Sequence, residues 1–243
     1  MTVAPALAAL LLAAVHLFAG KLRFLAGIPR SRWLSVAGGI SVAYVFARLL
    51  PELAHAQARL GQRAEGVFAR LDDHAYLLAL TGLALFYGLE RFTVRSRDER
   101  REREGADATG PTAFVISVAS FAFYTGLIGY ALDDEAKAGA RTLTLFVVAM
   151  ALHFVVNDYG LREHHKQAYT TIGRWVLACG VLVGWVASQI VELPETALVT
   201  ILAFLAGGVV LNVLKEELPE RRRSRFSAFA LGAAAYAALL QVS

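Results

Sequence analysis

Gly38-Gly39-Ile40-Ser41-Val42-Ala43-Tyr44-Val45-Phe46-Ala47-Arg48-Leu49-Leu50-Pro51-Glu52 decides how this chain is read. A glycine pair opens an apolar run whose single charge, Arg48, comes near its end, and Leu50-Pro51-Glu52 closes it. With the residues from 33 onward the run approaches the roughly 20 apolar residues that a helix needs to cross hydrocarbon. The plan recurs far along the chain, where Gly207-Gly208 leads into Leu218-Pro219-Glu220. The glycine pairs precede the prolines by 13 and 12 residues.

Similar runs, bounded by charge clusters, cover residues 3–20, 33–50, 74–90, 111–132, 142–160, 172–191, 195–214 and 226–242. With 57% hydrophobic and only 18% charged residues, a soluble globule is excluded and lipid is the expected solvent. Backbone groups in hydrocarbon must be satisfied within the chain, so runs of this length must be helical. The expectation is an all-α, polytopic membrane helix bundle of eight transmembrane helices, forming a single integral membrane domain over residues 1–243. Residues 1–20 lack a basic leader, their first positive charges being Lys21 and Arg23, so they read as a retained first span and not a signal peptide. The lone Cys179 excludes a disulfide framework and reads as a packing residue.

Lys and Arg in short connections set orientation. Of the 24, eighteen fall in the connections after spans one, three, five and seven, and five fall in the others. That bias puts both termini outside the inner (cytoplasmic) membrane and the charged loop 91–110 in the cytoplasm. The net charge of +4 is thereby explained without nucleic acid, for which no module is visible. Arg221-Arg222-Arg223 with Arg225 suits the anionic lipid surface. With this orientation the second span runs outward and the seventh inward, so their shared plan describes an inverted-topology repeat, spans 1–3 and 6–8 around spans 4–5. Transporters use such repeats to build a midplane site that opens to either side.

Span count, orientation and the two Leu-Pro-Glu endings resemble the ZIP family of divalent-metal transporters. In the second span Arg48 stands where that family usually carries histidine. The resemblance implies a transporter moving a divalent, zinc-like metal or another small cation by alternating access, not an enzyme, and with no bound cofactor beyond the transported ion. It also implies a metal site on the fifth span, where Leu152-His153-Phe154-Val155-Val156-Asn157-Asp158-Tyr159-Gly160 is similar to the family's pattern. His153, Asn157 and Asp158 are the implied metal residues. His153 and Asn157 share a helix face, and polar side chains at such depth are costly in hydrocarbon unless they face protein or water. Fixing helix packing by hydrogen bonds is the alternative role for the same three. The fourth span departs from the family: Phe121-Ala122-Phe123-Tyr124-Thr125-Gly126-Leu127 replaces its ligands, so the metal site is altered.

Thr125, Gln189, Asn212 and Arg48 remain as candidates for the substrate path. At about 1.5 Å per residue Arg48 lies near the outer interface and Asp158 in the cytoplasmic half, so the two are not expected to pair. Arg48 is expected to snorkel outward or to meet Glu52 or an acidic loop residue such as Asp133 or Asp134. His16 reads as a hydrogen-bonded core histidine, Glu163-His164-His165 as a solvated cytoplasmic mouth, and Asp72-Asp73-His74 as a solvated outer loop. The expected partners are membrane lipid and a small cation, with a homodimer as one possible assembly. The alternative function is a transport-inactive ZIP-fold membrane protein with a structural or regulatory role.

Overall fold

A computed structural model describes residues 3–21, 32–51, 53–55, 75–217 and 226–241. The helices are α1 (Val3–Phe18), α2 (Arg32–Tyr44), α3 (Ala75–Glu104), α4 (Pro111–Lys137), α5 (Ala140–Ala168), α6 (Arg174–Ser188), α7 (Glu195–Glu217) and α8 (Phe226–Gln241). No strand occurs among the described residues. Val3–Lys21, Ser35–His55, Ala75–Glu104, Pro111–Lys137 and Ala140–Ser188 are long and apolar enough to cross a membrane, and two shorter apolar helices, Ala197–Leu211 and Phe226–Gln241, join them. Large apolar side chains such as Leu10, Leu80, Phe123 and Val183 point outward. A soluble protein does not expose such a surface, whereas a helical membrane bundle does. Glu52, Leu218-Pro219-Glu220, the arginines at 221–225 and Asp72-Asp73-His74 lie outside the described residues.

Glycine sets how closely the helices approach. An added Cβ at Gly39 would meet the Phe229 carbonyl oxygen of α8 at 2.1 Å, and one at Gly232 would meet that of Val36 at 2.4 Å. Across the α3–α7 crossing Gly82 faces the Phe204 carbonyl at 2.3 Å and Gly207 that of Ala79 at 1.8 Å. Gly129 and Gly184 do the same between α4 and α6, facing Val181 and Gly126. Three helix pairs are thus in backbone contact, which small residues permit and any side chain would prevent. Tyr124, Phe154, Met150, Leu132, Leu177 and Tyr44 fill the interior between them.

Two boundaries differ from the sequence reading. The third helix does not stop at Glu90 but continues to Glu104, where the charged stretch pairs four residues apart, Arg95 with Glu99 at 2.8 Å and Arg100 with Glu104 at 2.7 Å. Gly105, at φ 68°, then ends it in a left-handed turn whose N–H reaches the Arg101 carbonyl at 3.1 Å. The second difference lies after the fifth span. Helix continues past Gly160 to Ala168, is interrupted at Lys166 (φ 48°, ψ −118°), and passes through a π-helical turn, Tyr169–Gly173, straight into α6. A second π turn, Val45–Leu49, follows α2 just before Pro51. Proline cannot donate to its own helix, and a local π adjustment re-satisfies the freed carbonyls. Cys179 is exposed on the outer face of α6 and not packed in the core.

Candidate functional site

The polar stretch of α5 lies inside the bundle, as side chains costly in hydrocarbon must. His153, Asn157 and Asp158 are all buried. They do not converge on one point. His153 turns toward α4, where its Nε2 and the Tyr124 hydroxyl are 3.2 Å apart, and Phe86 and Phe121 pack around the tyrosine ring. Asp158 turns toward α1, where its Oδ1 and Nδ1 of His16 are 2.9 Å apart. The His16 ring lies on Phe154, centroids 4.3 Å apart, which fixes the imidazole plane. The Tyr169 hydroxyl, carried by the π turn after α5, interacts with the Asp158 carboxylate. Arg162 and Arg174 lie nearby, Arg174 donating from Nη1 to the Leu17 carbonyl at 3.4 Å.

His16 is therefore the partner that sequence reasoning did not assign to Asp158. It is fully buried, hydrogen-bonded through Nδ1 only, and its Nε2 makes no hydrogen bond; the same holds for Nδ2 of buried Asn157. Buried polar groups are mostly hydrogen-bonded, so each such atom has capacity for a partner such as water. Among the described residues no three His, Cys, Asp or Glu side chains come together as a metal-holding group. The pair offers one imidazole and one carboxylate. That set can hold a proton or a small cation that keeps part of its hydration, and it is short of the four donors a closed tetrahedral zinc site takes.

The path candidates fall elsewhere. Thr125 is buried at the α4–α6 crossing, where its hydroxyl meets the Leu177 carbonyl at 3.2 Å and the Ala122 carbonyl at 3.0 Å. Gln189 caps α6 and donates to Asp133, which also accepts from the Ser188 hydroxyl at 2.9 Å. Arg48 reaches Glu135 at 3.3 Å, a buried residue one position beyond Asp134 along α4, while Glu52 lies outside the described residues. Asn212 is on α7, and its side chain is outside the described set. The pair Arg48–Glu135 sits toward the C-terminal end of α4, so it does not adjoin Asp158.

His164 and His165 are buried, contrary to the expectation of a solvated mouth. The link between α3 and α4 folds over them. Thr109 donates its N–H to the His164 carbonyl at 3.1 Å, and its hydroxyl lies 2.5 Å from Nδ1 of His165. No family model matches the chain, and no curated protein or solved structure matches it either.

Proposed function

We propose that this chain is an integral membrane transporter of ZIP-like organisation that passes a small cation, a divalent metal or another, across the cytoplasmic membrane by alternating access. The observation that carries the reading is the His16–Asp158 pair, buried inside the bundle with the Tyr169 hydroxyl, Arg162 and Arg174 near it. Ionisable groups at such depth are expensive and are found where ions move. The altered ligand set argues for a cation that needs fewer protein donors than zinc in a closed site.

An inverted repeat supports the same reading. Gly39 meets Phe229 and Ala233 as Gly207 meets Ala79 and Leu83, while Gly232 meets Val36 as Gly82 meets Phe204. A single displacement of 168 residues relates Gly39 to Gly207 and Val36 to Phe204. A displacement of 150 relates Ala79, Gly82 and Leu83 to Phe229, Gly232 and Ala233. The register also relates Pro51 to Pro219. Helices α2 and α3 thus correspond to α7 and α8, which fits eight spans with α4 and α5 between the repeats. The charge bias of the connections supports both termini outside.

A second reading, a transport-inactive relative with a structural role, is favoured by the bonds Tyr124–His153 and Thr125–Leu177, which commit polar groups of α4 and α5 to packing. Uptake of a panel of divalent and monovalent cations into liposomes separates the two. Transport predicts uptake by the wild type that Asp158→Ala abolishes at equal incorporation. Wild-type protein giving no more uptake than empty liposomes for every cation retires the transporter reading and leaves the structural one.

A further inference from the structure

Toward the N-terminal end of α4, away from Arg48 and Glu135, a second acid–histidine pair spans the gap between α3 and α5. Nε2 of His164 lies 3.3 Å from Oε1 of Glu90. The hydroxyls of Thr93 on α3 and Ser117 on α4 are 2.9 Å apart beside it. These four polar residues line one cavity of about 10 Å³, closed on its other sides by phenylalanine and leucine side chains. That is room for about one water, and the four side chains supply the two to four polar partners a buried water needs.

The His164 side chain is nine-tenths buried, and neither ring nitrogen makes a hydrogen bond, although Glu90 is close enough for charge attraction. The backbone holds the imidazole in place, since the His164 carbonyl accepts from Thr109. The Glu90 side chain keeps about 20% of its surface exposed, so the pair is reachable from outside the core. Other ionisable groups at this end include Arg91, Arg95, Arg97 and Arg100 on α3, Asp107 on the link, and Arg162, Glu163, His165 and Lys166 on α5; α4 presents Ser117 and Phe121. Arg97 and Lys166 both point at Asp107, at 2.7 and 3.5 Å, and Arg100 at Glu104, so these cations are engaged away from Glu90.

We propose that Glu90 and His164 form a proton-binding site, with one water in the adjoining cavity as its relay, and that the proton is the ion exchanged at this end of the bundle. A carboxylate this close attracts an imidazolium by charge. A proton from hydronium adds to a free ring-nitrogen lone pair of His164 and leaves an imidazolium beside a carboxylate; the return step gives it back to water, and no other bond changes. A metal ion would need further imidazole, thiolate or carboxylate donors, and among the described residues none joins this pair. The proton's role as a coupling ion rests on the transporter reading; its binding at Glu90–His164 does not.

The test uses full-length protein in lipid nanodiscs, labelled with ¹⁵N-histidine and titrated between about pH 4 and 9 by NMR. Wild type should show His164 taking up one proton and a cross-peak from its ring to water. Glu90→Gln should lower the proton affinity of His164 at least tenfold, Glu90→Asp should retain most of it, and exposed His55 should not change in either variant. An unmoved His164 midpoint in Glu90→Gln overturns the proposal. If that variant does not fold, absence of the ring-to-water cross-peak in the wild type overturns it instead. Cation uptake measured with and without an imposed pH gradient separates the two ideas. Uptake indifferent to the gradient and to Glu90→Gln removes the coupling role and keeps a transporter, whereas a Glu90-dependent His164 in a protein without uptake keeps the proton site and removes the transporter.

Discussion

Gly207→Ala is the sharpest probe of how the helices are held. The new Cβ would lie 1.8 Å from the Ala79 carbonyl oxygen and 2.7 Å from the Leu83 nitrogen, both backbone atoms that cannot swing aside. To reach even a tight 3.0 Å contact, α3 and α7 must part by about 1.2 Å at their crossing, which places the cost near the top of the roughly 1–3 kcal/mol seen for overpacked interiors. Replacing a mid-helix glycine returns about 1 kcal/mol of helix propensity, so the net loss is about 2 kcal/mol. Gly88→Ala on the same α3 is the control: nothing lies within 4 Å of its added Cβ, and it should gain about 0.5–1 kcal/mol. Reversible unfolding of both variants in mixed micelles should therefore separate them by about 3 kcal/mol. Gly39→Ala, meeting Phe229 at 2.1 Å, should fall within about 1 kcal/mol of Gly207→Ala if the two crossings are equivalent. A Gly207→Ala protein as stable as Gly88→Ala would refute the claim that backbone contact locks α3 to α7.

Arg48→Met removes the guanidinium beside the buried Glu135 carboxylate and should cost about 3 kcal/mol, most of it recovered by Arg48→Met with Glu135→Leu, as the same unfolding measurement will read. Thr125→Val removes a hydroxyl that serves the Leu177 carbonyl, so it should lower stability by about 1 kcal/mol while any cation uptake per folded molecule stays at the wild-type rate. On the link, the hydrogen bond and charge of Arg97 hold the Asp107 carboxyl below its ordinary value of 3.8. A lowered folded value means that the Asp107 contribution is fully present above pH 3.8 and is lost as pH falls through the folded value, so the amide shifts of Thr109 and Gly110 should hold steady down to that point and then move. Asp107→Asn should remove that movement, and the same movement in its absence would point to another group.

Hydropathy located most helices because their lipid-facing surface must be apolar whatever they pack against. It failed at residues 91–104, where helix is stabilised by ion pairs four residues apart outside any apolar run, and at 161–168, where no glycine or proline marks an end. The site was legible in part for a similar reason. His153, Asn157 and Asp158 announce themselves as polar residues in one apolar span, but His16 lies 142 residues from Asp158 and nothing local marks the pairing. Depth counted along straight helices brought Arg48 to the right end of α4, with Asp134 one residue short of Glu135, the residue that Arg48 reaches. The Gly-Gly pairs marked the repeated plan, yet the reciprocity of their contacts needed the partner helices to be seen.

The contacts divide the bundle into parts that can move and parts that cannot. The α2–α8, α3–α7 and α4–α6 pairs meet backbone to backbone through glycine, and interfaces packed that closely resist sliding because any shift brings carbonyls into collision. Other polar contacts join these pairs to one another or to α1 and α5: Arg48 of the segment after α2 to Glu135 of α4, Thr93 of α3 to Ser117 of α4, Glu90 of α3 to His164 of α5, and Asp158 of α5 to His16 of α1. Hydrogen bonds can be traded for water or for an ion at modest net cost, whereas packed backbone cannot. A change of shape that opens the interior therefore costs least along these polar seams, with the glycine-locked pairs moving as units. Two of the four seams carry an acid beside a histidine, and protonation changes the charge of both partners' contact. Cysteine pairs placed across the α3–α7 crossing should therefore cross-link without loss of any transport, while pairs across the α3–α5 seam should arrest it.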